Sequence, residues 1–437
     1  MVHRHVIIYE YLIKGAHAME ENTRNQSWFG LAMIFIGASV SVPTLILGGT
    51  LAGSMPMWKV LLTTLIGKAF IIAIMISQGF MSVDQGKPGV TIASQVFGKK
   101  GAQVVVSLLI TVSALGWFGI QANVAGVAVA NILAAVNVTL PTWLVSLVIG
   151  LLMVMTAMFG IKYVRWLAYV GVPFLVGVTL WGLYIGLSQH NGWATMIHYQ
   201  PTGTMSMLDG VAATVGALAL GAVIFGDYAQ FSKSRADVTK AAFWGVLPMG
   251  LLMTLLGAML TIMFKSSDIN SLFVAIATPV IGGAALVLAT WKINAVNAYS
   301  GGIAVSTMFN IPMKYRKLTL LAIGVAGTIL AIIGVMNYFT PIMNIMSAMV
   351  PPVAGVTGAC YWVRHRGDPK AWAPTEGFNK VGIISWAIGA VVGVTPVILT
   401  FFPSAPQIVN IPVIGIIVAF VAYLIGDRPA KAPVTVQ

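Results

Sequence analysis

Residues 29–53 read FGLAMIFIGASVSVPTLILGGTLAG, a run without one charged side chain. At 1.5 Å per residue, a helix of roughly 20 apolar residues crosses about 30 Å of hydrocarbon, so this run is long enough to span a bilayer. It is an awkward helix, because Gly37, Pro43, Gly48 and Gly49 fall inside it. Breakers at membrane depth free backbone amides and carbonyls, which are tolerated only where protein or a water-filled cavity satisfies them. The stretch therefore predicts a discontinuous membrane helix with a binding site at its break.

The chain around it is of the same kind. Of 437 residues 58% are apolar and 8% charged, with a mean hydropathy of +0.91, against about 25% charged in a soluble domain. This predicts an all-α, multi-pass membrane protein of twelve spans, near residues 29–53, 57–80, 103–132, 141–160, 164–187, 208–231, 239–264, 272–308, 317–335, 339–363, 381–402 and 408–425. The short alternating segments of a membrane β-barrel are missing. The net charge of +13 forms no basic stripe with interleaved aromatics, so nucleic acid is not the partner.

The basic residues report topology instead. Arg4, Lys14, Arg24, Lys87, Lys99, Lys100, Lys162, Arg165, Lys233, Arg235, Lys240, Lys314, Arg316, Lys317, Arg364, Arg366, Lys370, Lys380, Arg428 and Lys431 sort to one side, Lys59 and Lys265 to the other. By the positive-inside rule both termini are cytoplasmic, in a bacterial inner membrane. Cys360 is the one cysteine and no Cys/His cluster has ligand spacing, so no disulfide, metal or cofactor is expected. Ala16-His17-Ala18 imitates a signal-peptidase site, but Glu10 and Lys14 interrupt any apolar core before it. Translation is expected to begin at Met19, with a short polar lead-in.

The sixth span carries Gly216, Gly221 and Gly226, five helices after the first broken span. Paired discontinuous helices at corresponding places are what two inverted repeats produce; close packing through small residues is the competing explanation. In the third span Trp117 and Gln121 stand at i and i+4, so an indole and an amide share one helix side. That pair suits a planar heterocycle, stacked on the ring and read at its edge. In the eighth span Thr290, Asn294 and Asn297 share a face, for a substrate or for interhelical hydrogen bonds. Lys292 and Lys68 lie in mid-span and Asp227 toward the inner end of the sixth span. Ionisable groups there are functional hypotheses by default. Asp227 is read as capping, or pairing with the basic loop that follows it, and Asp84 to Gly89 as a gate or a turn.

Five words occur in order: Gly48 to Leu51, Gly116-Trp117-Phe118-Gly119, Asp227 to Phe231, Trp291 with Asn294 and Tyr299, and Val350 to Gly355. Together they resemble the nucleobase:cation symporter family of purine and cytosine permeases, over roughly residues 29–366. The resemblance implies a leucine-transporter type of fold: a cytoplasmic segment 1–28, inverted five-helix repeats at 29–187 and 208–363, two C-terminal helices in 381–425 and a tail 426–437. It places the substrate between spans 1 and 6 and spans 3 and 8. Trp117 then looks like the family's stacking tryptophan and Gln121 like the reading glutamine of its hydantoin branch, the cytosine branch having its glutamine where this chain has Ala114.

Departures accompany the likeness. Where cytosine permeases have a Ser-Phe pair and a further Ser in span 6, this chain has Ala217, Leu218 and Leu220, and Ser41 replaces an aromatic. The implied pocket is more apolar, and the expected substrate a related heterocycle such as a purine, a hydantoin-like ring or a vitamin-type pyrimidine. The hydroxyls that ligate sodium in dependent members fall at Lys292 and Ile293. An ammonium has donors and no acceptor, so Lys292 cannot ligate sodium but can replace it. Proton coupling or sodium-independent exchange follows, beside two other readings: lysines that attract an anionic substrate, with Lys68 helping, or a lysine that only holds helices together. Lys68 itself is read as structural or gating. Rival functions are an amino-acid or polyamine transporter of the same fold, an intramembrane enzyme and a channel. Missing phosphate-loop motifs exclude ATP, and the six histidines all fall in loops or ends.

Overall fold

The computed structural model describes residues 25–159, 161–189, 191–402 and 404–427, with backbone only for 161–166 and 168. Met19, Ala16 to Ala18, Arg4, Lys14, Arg24, Arg428, Lys431 and His190, and the side chains of Lys162 and Arg165, lie outside the described residues. The chain is helical: α1 (Trp28–Ser39), α2 (Val42–Ser54), α3 (Met57–Gln85), α4 (Gly89–Phe97), α5 (Lys99–Ala135), α6 (Thr142–Phe159), α7 (Ile161–Ser188), α8 (Gly192–Ile197), α9 (Met207–Gly216), α10 (Ala219–Val223), α11 (Gly226–Ala229), α12 (Arg235–Phe264), α13 (Ile269–Ile276), α14 (Pro279–Met308), α15 (Arg316–Ile332), α16 (Phe339–Met349), α17 (Pro352–Gly358), α18 (Lys380–Leu399) and α19 (Ile414–Gly426).

The first span is broken as its sequence predicts, and the break has a local cause. Ser41 is extended and Pro43 stands in the first turn of α2, where its missing N–H is no loss. The halves α1 and α2 meet at 58°, and α9 meets the short helices α10 and α11 at 60°. Of the glycines held responsible, Gly37 lies inside α1 with open space around it, whereas Gly48 packs its Cα against the carbonyl of Thr254 on α12. Gly257 on α12 returns the contact against the carbonyl of Leu45. Gly48 is therefore a packing glycine.

Among the described residues, nine helices meet the length and hydropathy of a membrane span, eleven if each bent pair is one. The twelfth expected span, 408–425, is helical only over Ile414–Gly426, 13 residues, or about 20 Å at 1.5 Å per residue. Val413 before it takes a left-handed backbone, which begins the helix late. The expected eighth span, 272–308, is two elements: Thr278 caps α14 by accepting from the Ile281 amide at 3.1 Å, and Pro279 follows, so α13 separates from α14.

α5 and α14 form the most extensive helix pair, and α12 runs along α1 and α2 while α3 runs along α9, α10 and α11. Each broken helix thus rests on the helix that follows the other. α18 and α19 pack on one another and against α16 and α17. Large apolar side chains face outward all round, among them Trp58, Trp143, Trp181, Trp193 and Trp244, as lipid-facing and interfacial aromatics do.

Candidate functional site

The two breaks, at Val40–Ser41 and Ala217–Leu218, meet in one apolar cluster. Val40, Val42, Ile120, Met253, Phe339 and Met343 are buried in it, with Trp117 and Ala217 packed against it. The Trp117 indole meets the Phe339 ring edge-on, centroids 6.3 Å apart. One turn along α5, Gln121 is 1% exposed, and neither its Nε2 nor its Oε1 has a hydrogen-bond partner. An amide buried without partners costs about 1–3 kcal/mol, and such exceptions in a folded protein call for an explanation.

The remaining expected site residues divide. Ser41 is buried in the first break, its Oγ 3.0 Å from Thr44 Oγ1. Leu218 and Leu220 pack instead against a second apolar cluster, with Phe35 and Phe225. Asn294 is fully buried and engaged by protein: its Nδ2 donates to the Phe118 carbonyl at 3.1 Å and contacts Met153 Sδ at 3.2 Å, and Asn297 Nδ2 donates to its Oδ1 at 3.4 Å. These bonds tie α14 to α5 and α6. Lys292 is buried on α14 and Lys68 on α3, at 8% and 3% exposure. Among the described residues neither ammonium has an ion pair.

Asp227 does cap, but with another partner than the loop after it. Its Oδ1 accepts from the Gly89 amide at 2.7 Å, at the start of α4, where a carboxylate also meets the positive helix end. Asp84 to Gly89 forms a turn with Gly86 in the left-handed region. Asp84 itself accepts from Arg235 Nε at 2.9 Å and from the Tyr361 hydroxyl at 2.7 Å, and Arg235 lies over the rings of Phe80 and Trp362. This clasp joins α3, α12 and the π-helical turn Ala359–Arg364 that follows α17.

Sequence reading passed over α16. Phe339 closes on Trp117, and Asn344 Oδ1 and Ser347 Oγ are buried on α16 without partners. A polar pair at i and i+3 was the available signal. α9 also meets α16 at a seam: a Cβ on Gly216 would lie 1.7 Å from the Met343 carbonyl oxygen, so the two backbones touch. The Tyr199 hydroxyl donates to the Ala52 carbonyl of α2 at 2.9 Å, and burial pushes its pKa up, which keeps it a donor.

Comparison with known proteins agrees with this architecture. Residues 18–426 match the family described as permease for cytosine/purines, uracil, thiamine, allantoin. The cytosine permease of Escherichia coli strain K12 is 25% identical over 365 residues, 83% of this chain and 84% of that one. The hydantoin permease of Microbacterium maritypicum is 24% identical over 369 residues, 77% and 73% of the two chains. The inward-facing structure of Mhp1 superposes with a TM-score of 0.73 at 18% identity, covering 92% of this chain and 90% of that one. A leucine-transporter type of fold, two broken helices and a family match over nearly the whole chain lead to one conclusion: the protein belongs to the nucleobase:cation symporter family of cytosine and purine permeases, and is a multi-pass membrane transporter.

Proposed function

We propose that the protein imports a planar nitrogen heterocycle across the bacterial inner membrane by alternating access, without sodium. The observation that carries this is the Gln121 carboxamide, buried and unpartnered one turn from Trp117. The ring stacks on the indole and its edge supplies the donors and acceptors that Gln121 lacks. Similarity to a cytosine permease and a hydantoin permease supports this substrate class. Ala217, packed against the same cluster as Trp117, adds an apolar contact there.

Lys292 stands in for the coupling ion. Its ammonium is buried on α14 without an ion pair among the described residues, and can hold a positive charge where a sodium-dependent relative binds its ion. A lysine in such a place can also lose its proton during the cycle, which gives proton coupling or sodium-independent exchange. Residues 29–187 and 208–363 act as the inverted repeats, in keeping with broken helices that each rest on the helix after the other. The basic residues set both termini in the cytoplasm.

Thermal stabilisation of the purified protein tests substrate and ion together. Nucleobases, hydantoins, vitamin-type pyrimidines and amino acids are screened in sodium and in potassium buffer; a ligand that binds the folded state raises the midpoint by mass action. A heterocycle effective equally in both buffers is expected. A sodium-dependent hit would remove Lys292 from the ion's place, and hits confined to amino acids would remove the heterocycle.

A further inference from the structure

Among the described residues, the mid-span helices α3 and α14 carry two buried ammonium groups, Lys68 and Lys292, with no carboxylate at the same depth in either helix. The described acidic residues Asp84, Asp209, Asp227, Asp237, Asp268, Asp368, Glu376 and Asp427 all lie at helix ends, in the short α11 or in loops. Lys68, by contrast, stands in the middle of α3 at 3% exposure. Leaving a charge in so poor a solvent is unfavourable unless something pairs with it.

Near Lys68 stand two buried hydroxyls whose hydrogen-bonding capacity is unused. Thr64, one turn earlier on the same side of α3, is fully buried and its Oγ1 has no partner. Ser39, the last residue of α1 at the first break, is 4% exposed and its Oγ has no partner. Gly250 of α12 brings two of these groups together: a Cβ built there would lie 3.0 Å from Lys68 Nζ and 3.5 Å from Ser39 Oγ. Because Gly250 has no Cβ, the end of the Lys68 side chain and the Ser39 hydroxyl can both pack close to its Cα. An ammonium offers three donors and no acceptor, and each hydroxyl has a proton to give. A cation would be repelled there; an anion would be bound.

We infer that Lys68, Ser39 and Thr64 form an anion-binding site at the break of the first membrane helix, on its α12 side. The anion is a small inorganic one such as chloride, or the negative charge of the transported molecule itself, a ring carboxylate. The second source rests on the heterocycle reading; the first does not. Either ligand would hold the broken segment of α1 and α2 against α3 and α12, which makes binding there a condition for a stable site.

The test is the melting midpoint of the purified full-length protein in potassium gluconate. Chloride is titrated in one arm; uracil and its 6-carboxylate are titrated in the other. A saturable rise with chloride, weakened at least tenfold in apparent affinity by Lys68→Met, identifies an inorganic anion. A rise with the carboxylate but not with uracil, lost in the same variant, assigns the charge to the substrate. Gly250→Ala, whose methyl presses on Lys68 Nζ and Ser39 Oγ and keeps the charge, weakens the same response and serves if Lys68→Met does not fold. No response to either anion, or responses unchanged in both variants, overturns the site. Stabilisation by uracil alone would overturn it and leave the heterocycle reading standing; a chloride response with no heterocycle binding would do the reverse.

Discussion

Gln121 and Lys292 carry the functional reading at the scale of single residues, and each makes a prediction with two sides. Gln121→Leu removes an amide that is buried without partners, so the ligand-free protein gains about 1–3 kcal/mol. The same change abolishes heterocycle-induced stabilisation. A variant that melts earlier and still binds would show that Gln121 has an unrecognised structural role. Lys292→Thr restores a hydroxyl acceptor and is expected to make uptake sodium-stimulated; uptake in that variant that stays full and sodium-independent counts against the ion's substitution. Trp117 and Gln121 were legible because four residues on a helix return to the same side. Phe339 was not, since nothing in its own helix tells which neighbour it will meet. Asn294 was legible as a polar residue needing a partner, but the partner is a carbonyl on α5, a relation between helices that no single run of sequence contains.

Helices and their seams set what the transporter is able to do mechanically. At the contact of α9 with α16 the Gly216 Cα lies against the Met343 carbonyl, and Gly216→Ala is expected to wedge the seam apart. Uptake should fall at least tenfold, with heterocycle-induced stabilisation reduced less than in Gln121→Leu, because the wedge touches the Trp117 cluster through Met343 but leaves the Gln121 carboxamide in place. Gly37→Ala is the contrast: open space surrounds it inside α1, so uptake is unchanged and stability rises by up to about 1 kcal/mol from helix propensity. If the two variants behaved alike, the seam would not be a moving part. Hydrophobic runs gave the long helices well, since their signal is local. The division of the eighth span by Thr278 and Pro279 was equally local and could have been read as a cap followed by proline. Gly48, on the other hand, marked a close helix contact rather than the break, and a glycine's sequence is the same in both cases.

Over the whole molecule, the C-terminal end of α3, the N-terminal end of α12 and the turn after α17 are joined through Asp84, Arg235 and Tyr361. The pair is partly open to solvent, with side-chain exposures of 14% for Asp84 and 47% for Arg235, so its contribution is modest. Asp84→Ala and Arg235→Ala should each lower the melting midpoint by a few degrees, and the double variant by little more than either one; full additivity would mean the two do not act together. The all-helical membrane architecture was readable from composition and the length of the apolar runs, because a bilayer constrains both; the count was less so, since nine to eleven described helices meet the criteria of a span where twelve are expected. The clasp was not, since it joins residues 84, 235 and 361, which only the assembled bundle brings together. Cys360 lies beside that clasp and is 2% exposed, so its reaction with thiol reagents is expected to be slow. The natural chain is therefore ready for spectroscopy: single cysteines placed on either side of the α9–α16 seam can take spin labels or dyes against a silent background, and the distance between them can be followed as the transporter works.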